Sequence, residues 1–251
     1  MAAAPAQSIS RPPKNAMVEQ WFFLEMSLAM IAICCLAFFP AIVHPEERPA
    51  SLSTLAGVHG IVFSAWLLLF LVQSSLIATW HVAWHRRLGI LSVFLLALMI
   101  PLTYTMAVAM VRRGYDLSGD LHLDHDPAYG AIFPFANLLI FAVLAIAALV
   151  YRRMPEVHKR LMLFANTELM PAPLAHLIGH NPRLAALPPA IVMVPITAFV
   201  LSVLAGDFLV NRRIHPLTWA LAALRMLSGP LEAGPIGMSV TWHHLVDWMA
   251  R

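Results

Sequence analysis

The apolar residues of this chain fall in long runs, and a run of about 20 such residues in a helix is enough to cross the hydrocarbon core of a bilayer. Six runs are long, and a seventh is shorter and contains Arg225. The runs cover residues 17–43, 53–78, 88–111, 129–151, 158–180, 188–210 and 215–228. Because a backbone in lipid must satisfy its own hydrogen bonds, runs without polar–apolar alternation predict helices rather than barrel strands.

Composition supports the same fold class, since 60% of the residues are hydrophobic and only 12% are charged. The sequence therefore predicts an all-α polytopic membrane bundle of about seven transmembrane helices, with no soluble catalytic domain in its short loops. We expect a disordered cytoplasmic N-terminus over 1–16, the bundle over 17–228, and a tail over 229–251 with a short amphipathic helix. The seventh run either spans the bilayer with tilt or lies at its surface.

The loop charges predict an orientation. If the N-terminus is cytoplasmic, ten lysines and arginines lie in cytoplasmic segments and four lie outside. Cytoplasmic loops carry an excess of basic residues, so this arrangement is the favoured one. It predicts a multi-pass membrane protein whose N-terminus is cytoplasmic.

Two similar polar motifs, "HRRLG" at 85–89 and "HKRLM" at 158–162, begin the third and fifth predicted helices at the cytoplasmic face. A helix N-terminus carries partial positive charge, so the cations of these motifs do not stabilise the helices that they begin. One interpretation is that the cations bind lipid phosphates. The other is that they form an anion site together with free backbone N–H groups.

Polar side chains inside the apolar runs are the other candidates for function. Glu168 lies near the middle of the fifth run, just before Pro171, and an ionisable group at that depth is costly. It either has a function or is a hydrogen-bonded carboxyl that holds helices together. Three further polar residues are expected within the membrane, namely Gln73, Asn137 and Asn166.

Histidines suggest a first chemical hypothesis, a b-type haem held by two imidazoles on different helices. His59 and His176 would form an outer pair, and His85 and His158 an inner pair. Cations near the inner pair would face the haem propionates, and the candidates are Arg86, Arg87 and Arg160.

Two other hypotheses remain open. A non-haem metal site at the outer face would draw on histidines of the fifth run, the third loop and the second run. Its candidate ligands are His59, His122, His125, His176 and His180. Alternatively, the protein is a small transporter or proton-coupled carrier that uses Glu168 and a kinked fifth helix, or a non-catalytic subunit of a membrane complex.

Segments along nearly the whole chain carry a resemblance to a known group. "HGIVFSAWLLLFLVQSSL", "HRRLG", "HKRLM" and "RRIHPLTW" resemble segments of a widespread group of uncharacterised bacterial multi-pass membrane proteins. The resemblance implies a seven-helix inner-membrane fold but no activity. A looser similarity is to the transmembrane cytochromes b that act as ascorbate-dependent or ferric reductases, and it implies histidine pairs near both faces.

The leading prediction is an inner-membrane redox protein with a b-type haem or another metal. The sequence leaves open whether this protein is an enzyme. Its expected partners are the lipid bilayer and another membrane protein or a second copy of the chain. The excess of basic over acidic residues is explained by the orientation of the chain in the membrane, so no nucleic-acid partner is expected.

Overall fold

The computed structural model describes residues 14–47, 52–114 and 126–251, and regular structure there is entirely helical, which confirms the all-α prediction. The α-helices are α1 (Lys14–Val43), α2 (Thr54–Ala78), α3 (Val82–Arg112), α4 (Pro127–Val150), α5 (Pro155–Thr167), α6 (Pro171–Gly179), α7 (Pro182–Ala185), α8 (Met193–Asn211), α9 (Pro216–Leu231) and α10 (Val240–Met249). Single 3-10 turns lie at Pro45–Glu47 and Pro189–Val192, and a π-helix at Glu232–Ile236 continues α9.

Five of the described helical segments are long and apolar enough to cross a membrane. They are Met17–Val43, Thr54–Ala78, Val82–Arg112, Pro127–Val150 and Ala190–Asn211. At most 28% of the residues in their most apolar windows are buried in the protein, so most of these apolar side chains lie on the outer surface. Such a surface is stable against lipid and unstable against water, as expected for a membrane protein.

The bundle has two ends, which we define by their contacts. At end A, Lys159 near the start of α5 pairs with Glu19 near the start of α1, with 2.7 Å between Nζ and Oε2. At end B, the ring of Phe38 near the end of α1 lies 4.9 Å from the ring of His176 in α6. The charge bias predicts that end A is cytoplasmic.

The fifth predicted segment is broken rather than continuous. Helix α5 ends at Thr167 and α6 begins at Pro171. Proline has no N–H to donate and its ring collides with the preceding turn, so the helix cannot continue through this position. Helix α3 also differs from its predicted bounds, because it begins at Val82 rather than 88 and therefore includes His85 in its first turns.

The seventh run packs one face against the bundle and exposes the other. Helix α9 contacts α8 and α5, and its Arg225 is only 2% exposed. Helix and π-helix together run from end A to end B, where Gly237 lies against Tyr129 and Ile132 of α4. A Cβ on Gly237 would also collide with the Glu232 carbonyl, so this close approach requires glycine. The predicted boundary at 228 is therefore too early, because α9 continues to Leu231.

The core lies where α2, α4 and α5 meet. Trp66 packs edge-to-face on Phe141 at 5.3 Å, beside the fully buried Phe164. Elsewhere α8 approaches α1 so closely that a Cβ on Gly206 would lie 2.7 Å from the ring of Phe22. Small residues at such crossings allow membrane helices to pack closely.

Candidate functional site

The histidines of the two repeated motifs lie together at end A. The rings of His85 in α3 and His158 in α5 are 6.2 Å apart between centroids and nearly perpendicular, at 80°. Helix α5 begins with Pro155 at its first position, and its first turns place His158 against the end of α4. There the Nδ1–H of His158 donates to the carbonyl of Ala148 at 2.8 Å. We call His85 and His158 the histidine pair.

Hydrogen bonding determines which ring nitrogen of His158 has a free lone pair. Because Nδ1 of His158 is the donor to Ala148, Nε2 of the neutral ring carries the lone pair. Nδ1 of His85 is buried and has no hydrogen-bond partner among the described residues. The ring of His85 lies beside the backbone of Gln73, whose side-chain amide is also buried with neither of its polar atoms partnered by a described residue. Buried polar atoms usually have hydrogen-bond partners, so these two side chains are candidates for contact with a bound molecule or water.

The cations of the two motifs have different surroundings. Arg160 is 4% exposed, and its donors are occupied by carboxylates and a hydroxyl of the protein. Lys159 pairs with Glu19 and Glu156. In the first motif Arg86 is exposed, whereas the guanidinium of Arg87 lies 5.3 Å from the ring centre of Trp84. Of these cations, Arg86 and Arg87 are the ones at the surface of end A.

Arg160 belongs to a buried cluster around Asp207. Oδ1 of Asp207 accepts from Arg160 at 2.5 Å and from Asn211 at 2.9 Å. Oδ2 accepts from the backbone N–H of His215 at 2.9 Å and from the hydroxyl of Thr218 at 2.6 Å. We call these residues the Asp207 cluster. It joins α5, α8 and α9, and every lone-pair direction of the carboxylate is used.

The chain reaches this geometry through a left-handed residue. Helix α8 ends at Asn211, and the next residue, Arg212, has φ 54°, so the backbone turns and the N–H of His215 meets Asp207. Nδ1 of His215 in turn accepts from the N–H of Leu217 and caps α9. Asp207, near the end of α8, thus holds the residue that caps the N-terminus of α9.

A second buried cluster lies further along α9. Nη1 of Arg225 donates to Glu168 Oε2 at 3.1 Å and to the hydroxyl of Ser228 at 2.7 Å. Glu232, the first residue of the π-helix, interacts electrostatically with both Arg225 and Glu168. We call Glu168, Arg225, Ser228 and Glu232 the Arg225 cluster. Both of its acids lie where a helix is interrupted, at the end of α5 and at the start of the π-helix.

The remaining intramembrane candidates are Asn166 in α5 and Asn137 in α4. Asn166 accepts from the indole N–H of Trp66 at 2.9 Å and donates to the carbonyl of Met162 at 2.8 Å. Oδ1 of Asn137 is buried and has no hydrogen-bond partner among the described residues. Asn166 therefore connects α2 to α5 within the core.

At end B, the predicted outer histidines occupy two places. The ring of His59 stacks on Phe63 at 4.1 Å, and its buried Nδ1 has no hydrogen-bond partner in the described part of the chain. The ring of His176 contacts Phe38 and lies 4.1 Å from that of His180. Within the described ranges there is no group of three or more histidines, cysteines or carboxylates that could hold a metal ion. His122 and His125 lie outside the described residues.

Helix α10 packs across end B. The indole N–H of Trp242 donates to the carbonyl of Ala128, and Nε of Arg112 donates to the carbonyl of Ala250 at 2.8 Å. His243 pairs with Asp126, which also caps α4. The amphipathic tail helix therefore lies at the end where α3 ends and α4 begins.

The docking of α10 should depend on pH. Hydrogen bonds to the Ser239 carbonyl and to Asp126 raise the pKa of His243. Burial opposes ionisation of Asp126, but hydrogen bonds from His243 and two backbone N–H groups outweigh it and lower the pKa of Asp126. The stabilisation of docked α10 by His243 is fully present below the ordinary pKa of histidine, and it is lost as the pH rises through the raised pKa of His243. The stabilisation by Asp126 is lost only as the pH falls through the lowered pKa of Asp126.

We therefore expect hydrogen exchange of α10 amides, corrected for the intrinsic rate, to become a few-fold faster as pH rises through the pKa of His243. The effect is small because the pair is partly exposed. His243→Ala should remove the dependence, whereas His244→Ala, a change at the exposed neighbouring residue, should preserve it. A dependence that persists in His243→Ala would assign it to another group.

Comparison with protein-family models, curated proteins and solved structures finds no match for this chain.

Proposed function

We propose that this protein is an integral membrane electron-transfer protein that holds a b-type haem, or another redox metal, between His85 and His158. The observation that carries the proposal is the geometry of the histidine pair, in which two imidazoles from different helices lie 6.2 Å apart. Localisation in a bacterial inner membrane, with end A cytoplasmic, is part of the same proposal.

The separation of the rings supports a shared metal ion. Metal–nitrogen bonds are about 2 Å long, so His85 and His158 would be close enough to hold one ion together. The measured separation is 6.2 Å. The hydrogen bond from His158 to Ala148 supports the same role, because a backbone carbonyl at Nδ1 commonly fixes the ring of a metal ligand.

The surrounding residues fit a cofactor at this place. The buried amide of Gln73 and Nδ1 of His85 lack hydrogen-bond partners among the described residues, and a bound group would supply them. Arg86 and Arg87 are the motif cations assigned to propionates, since Arg160 is committed to the Asp207 cluster. A bound haem would supply one-electron redox chemistry. His85 and His158 would hold it, and the hydrogen bond from His158 to Ala148 would orient one of its ligands.

A second site is proposed at end B, between His59 and His176, and it would allow electrons to cross the membrane. His59, Trp66 and Gln73 are spaced by seven residues and lie on one face of α2, which connects this region to the histidine pair. The unpartnered buried Nδ1 of His59 supports this extension.

The test is the absorption spectrum of the full chain, purified in detergent from cells supplied with iron and haem precursors, before and after reduction by dithionite. We expect a sharp α-band on reduction, together with stoichiometric iron. His85→Ala and His158→Ala should each abolish the band from the inner site, because each removes an axial ligand. If the second site exists, His59→Ala or His176→Ala should lower haem content by about half.

His81→Ala is the matched control, because His81 lies at the same end of α3 but is exposed. It should leave the spectrum unchanged. A featureless spectrum without stoichiometric metal, or a haem content that is undiminished in both His85→Ala and His158→Ala, would overturn the proposal.

A second candidate function is a small carrier, and the ion pair between Glu168 and Arg225 favours it. Helix interruptions that carry polar groups at mid-depth are characteristic of secondary transporters. If the protein is a carrier, Glu168→Gln should abolish transport in vesicles and no chromophore should be present. A protein with neither property, purified together with a partner, would instead be an accessory subunit.

A further inference from the structure

The Arg225 cluster contains an unbalanced set of charges. Two carboxyl groups, Glu168 and Glu232, act on a single guanidinium, that of Arg225. All three residues are almost completely buried, with exposures of 2%, 4% and 2% for Glu168, Glu232 and Arg225. If both acids were ionised, the cluster would carry a net charge of −1 inside the bundle. A buried charge without a counter-ion is unstable.

The hydrogen bonds show where the imbalance lies. Glu168 accepts from Arg225 at 3.1 Å, and the carboxyl of Glu232 accepts from the hydroxyl of Ser228, but Oε1 of Glu232 is buried and has no hydrogen-bond partner among the described residues. Nε of Arg225 is likewise buried and without such a partner. A carboxylate oxygen without a donor needs either a proton of its own or a neighbouring group that brings one.

The neighbouring groups do not supply the missing charge. Arg225 and Glu232 are the charged groups that act appreciably on Glu168, and Arg225 is the one that acts on Glu232. From α9 itself the neighbour is the uncharged hydroxyl of Ser228. From α4, Tyr129 lies against Gly237, and it carries a phenol rather than a basic group.

We propose that the Arg225 cluster is a proton-binding site, in which Glu168 and Glu232 together hold one exchangeable proton beside Arg225. With that proton bound, one acid is ionised and paired with Arg225, the other is neutral, and the cluster carries no net charge. The site extends the proton-coupled carrier hypothesis by adding Glu232 and Arg225 to Glu168 as the groups that bind the proton, and it holds equally if the protein transfers electrons.

The backbone around the site allows the proton to be exchanged. Glu168 follows the last residue of α5, and Glu232 begins a π-helix, so neither acid lies within an uninterrupted α-helix. π-Helical turns occur mainly as short interruptions and are frequent at functional sites. Small changes at these two interruptions alter the distance of each acid from Arg225.

Infrared spectroscopy of the full chain in lipid nanodiscs tests the proposal directly. We expect the wild-type protein at neutral pH to show one protonated carboxyl C=O band that shifts in D₂O. Glu168→Gln and Glu232→Gln should each remove it, because the remaining acid is then ionised and paired with Arg225. Glutamine resembles a neutral carboxyl group in shape, so both variants should fold.

The control variant is Glu156→Gln, since this acid is exposed and pairs with Lys159 and Arg160. It should leave the band intact. Absence of the band in the wild type over the whole pH range in which the protein stays folded, or its persistence in both cluster variants, would overturn the proposal. Loss of the band at high pH in the wild type alone would support it even if one variant did not fold. The haem spectrum is an independent measurement, so either proposal can fail without the other.

Discussion

Replacing Asp207 by alanine should destabilise the protein by about 3–5 kcal/mol, the cost typical of removing one partner of a buried ion pair. Asp207 is 8% exposed and accepts hydrogen bonds from four groups. Its loss leaves the guanidinium of Arg160 buried with one fewer counter-ion. It also removes the acceptor for the His215 N–H, and thus the connection that begins α9.

The change in the free energy of unfolding can be measured by titration of mixed micelles with a denaturing detergent. Asp207→Asn should cost less than Asp207→Ala, because the amide keeps an acceptor for Thr218 or Arg160. Glu19→Ala is the matched control at the same end. The carboxylate of Glu19 is partly exposed and lies 4.0 Å from Arg160, so its loss should cost less than about 1 kcal/mol. Equal losses for Asp207→Ala and Glu19→Ala would show that the cluster is not a buried network.

The long apolar runs were sufficient to predict most of the fold. A run such as 129–151 can satisfy its backbone in lipid only as a helix, and α4 covers Pro127–Val150. The prolines of the run 158–180 predicted a break or a kink, and the structure has two helices separated at Pro171. The prediction was weakest for 215–228, where a tilted span and a position at the bilayer surface both stayed open. The structure buries Arg225 beside Glu168, and that partner belongs to a different helix.

The candidate site was only partly predictable, because several of its residues have partners on other helices. Glu168 was identified because a carboxyl in an apolar run is unusual in itself. Glu232 was missed because it lies among the prolines and glycines of the predicted tail, where a charge is ordinary. One signal was available, since Thr218, Arg225 and Glu232 are spaced by seven residues and so share a helical face. The role of Arg160 depended on Asp207, 47 residues away, and no local pattern connects them.

Removal of Arg225 should be the other severely destabilising change, and its rescue tests the charge balance of the cluster. In Arg225→Met the side chain keeps its length but Glu168 and Glu232 lose their cation. We expect a loss of about 3–5 kcal/mol in the free energy of unfolding, as for other broken buried ion pairs. Glu168→Gln alone should cost much less, because Arg225 then still has Glu232 as its counter-ion.

The double variant Glu168→Gln/Arg225→Met should be more stable than Arg225→Met alone, because one of the two uncompensated carboxyl groups is gone. Residues in direct contact commonly show such non-additivity, with coupling energies of about 0.5–3 kcal/mol. Arg152→Met is the control for loss of a cation as such, since Arg152 is exposed at the end of α4, and it should have little effect. Additive losses in the double variant would mean that Arg225 stabilises α9 through packing alone. In that case its pairing with Glu168 would contribute nothing to stability.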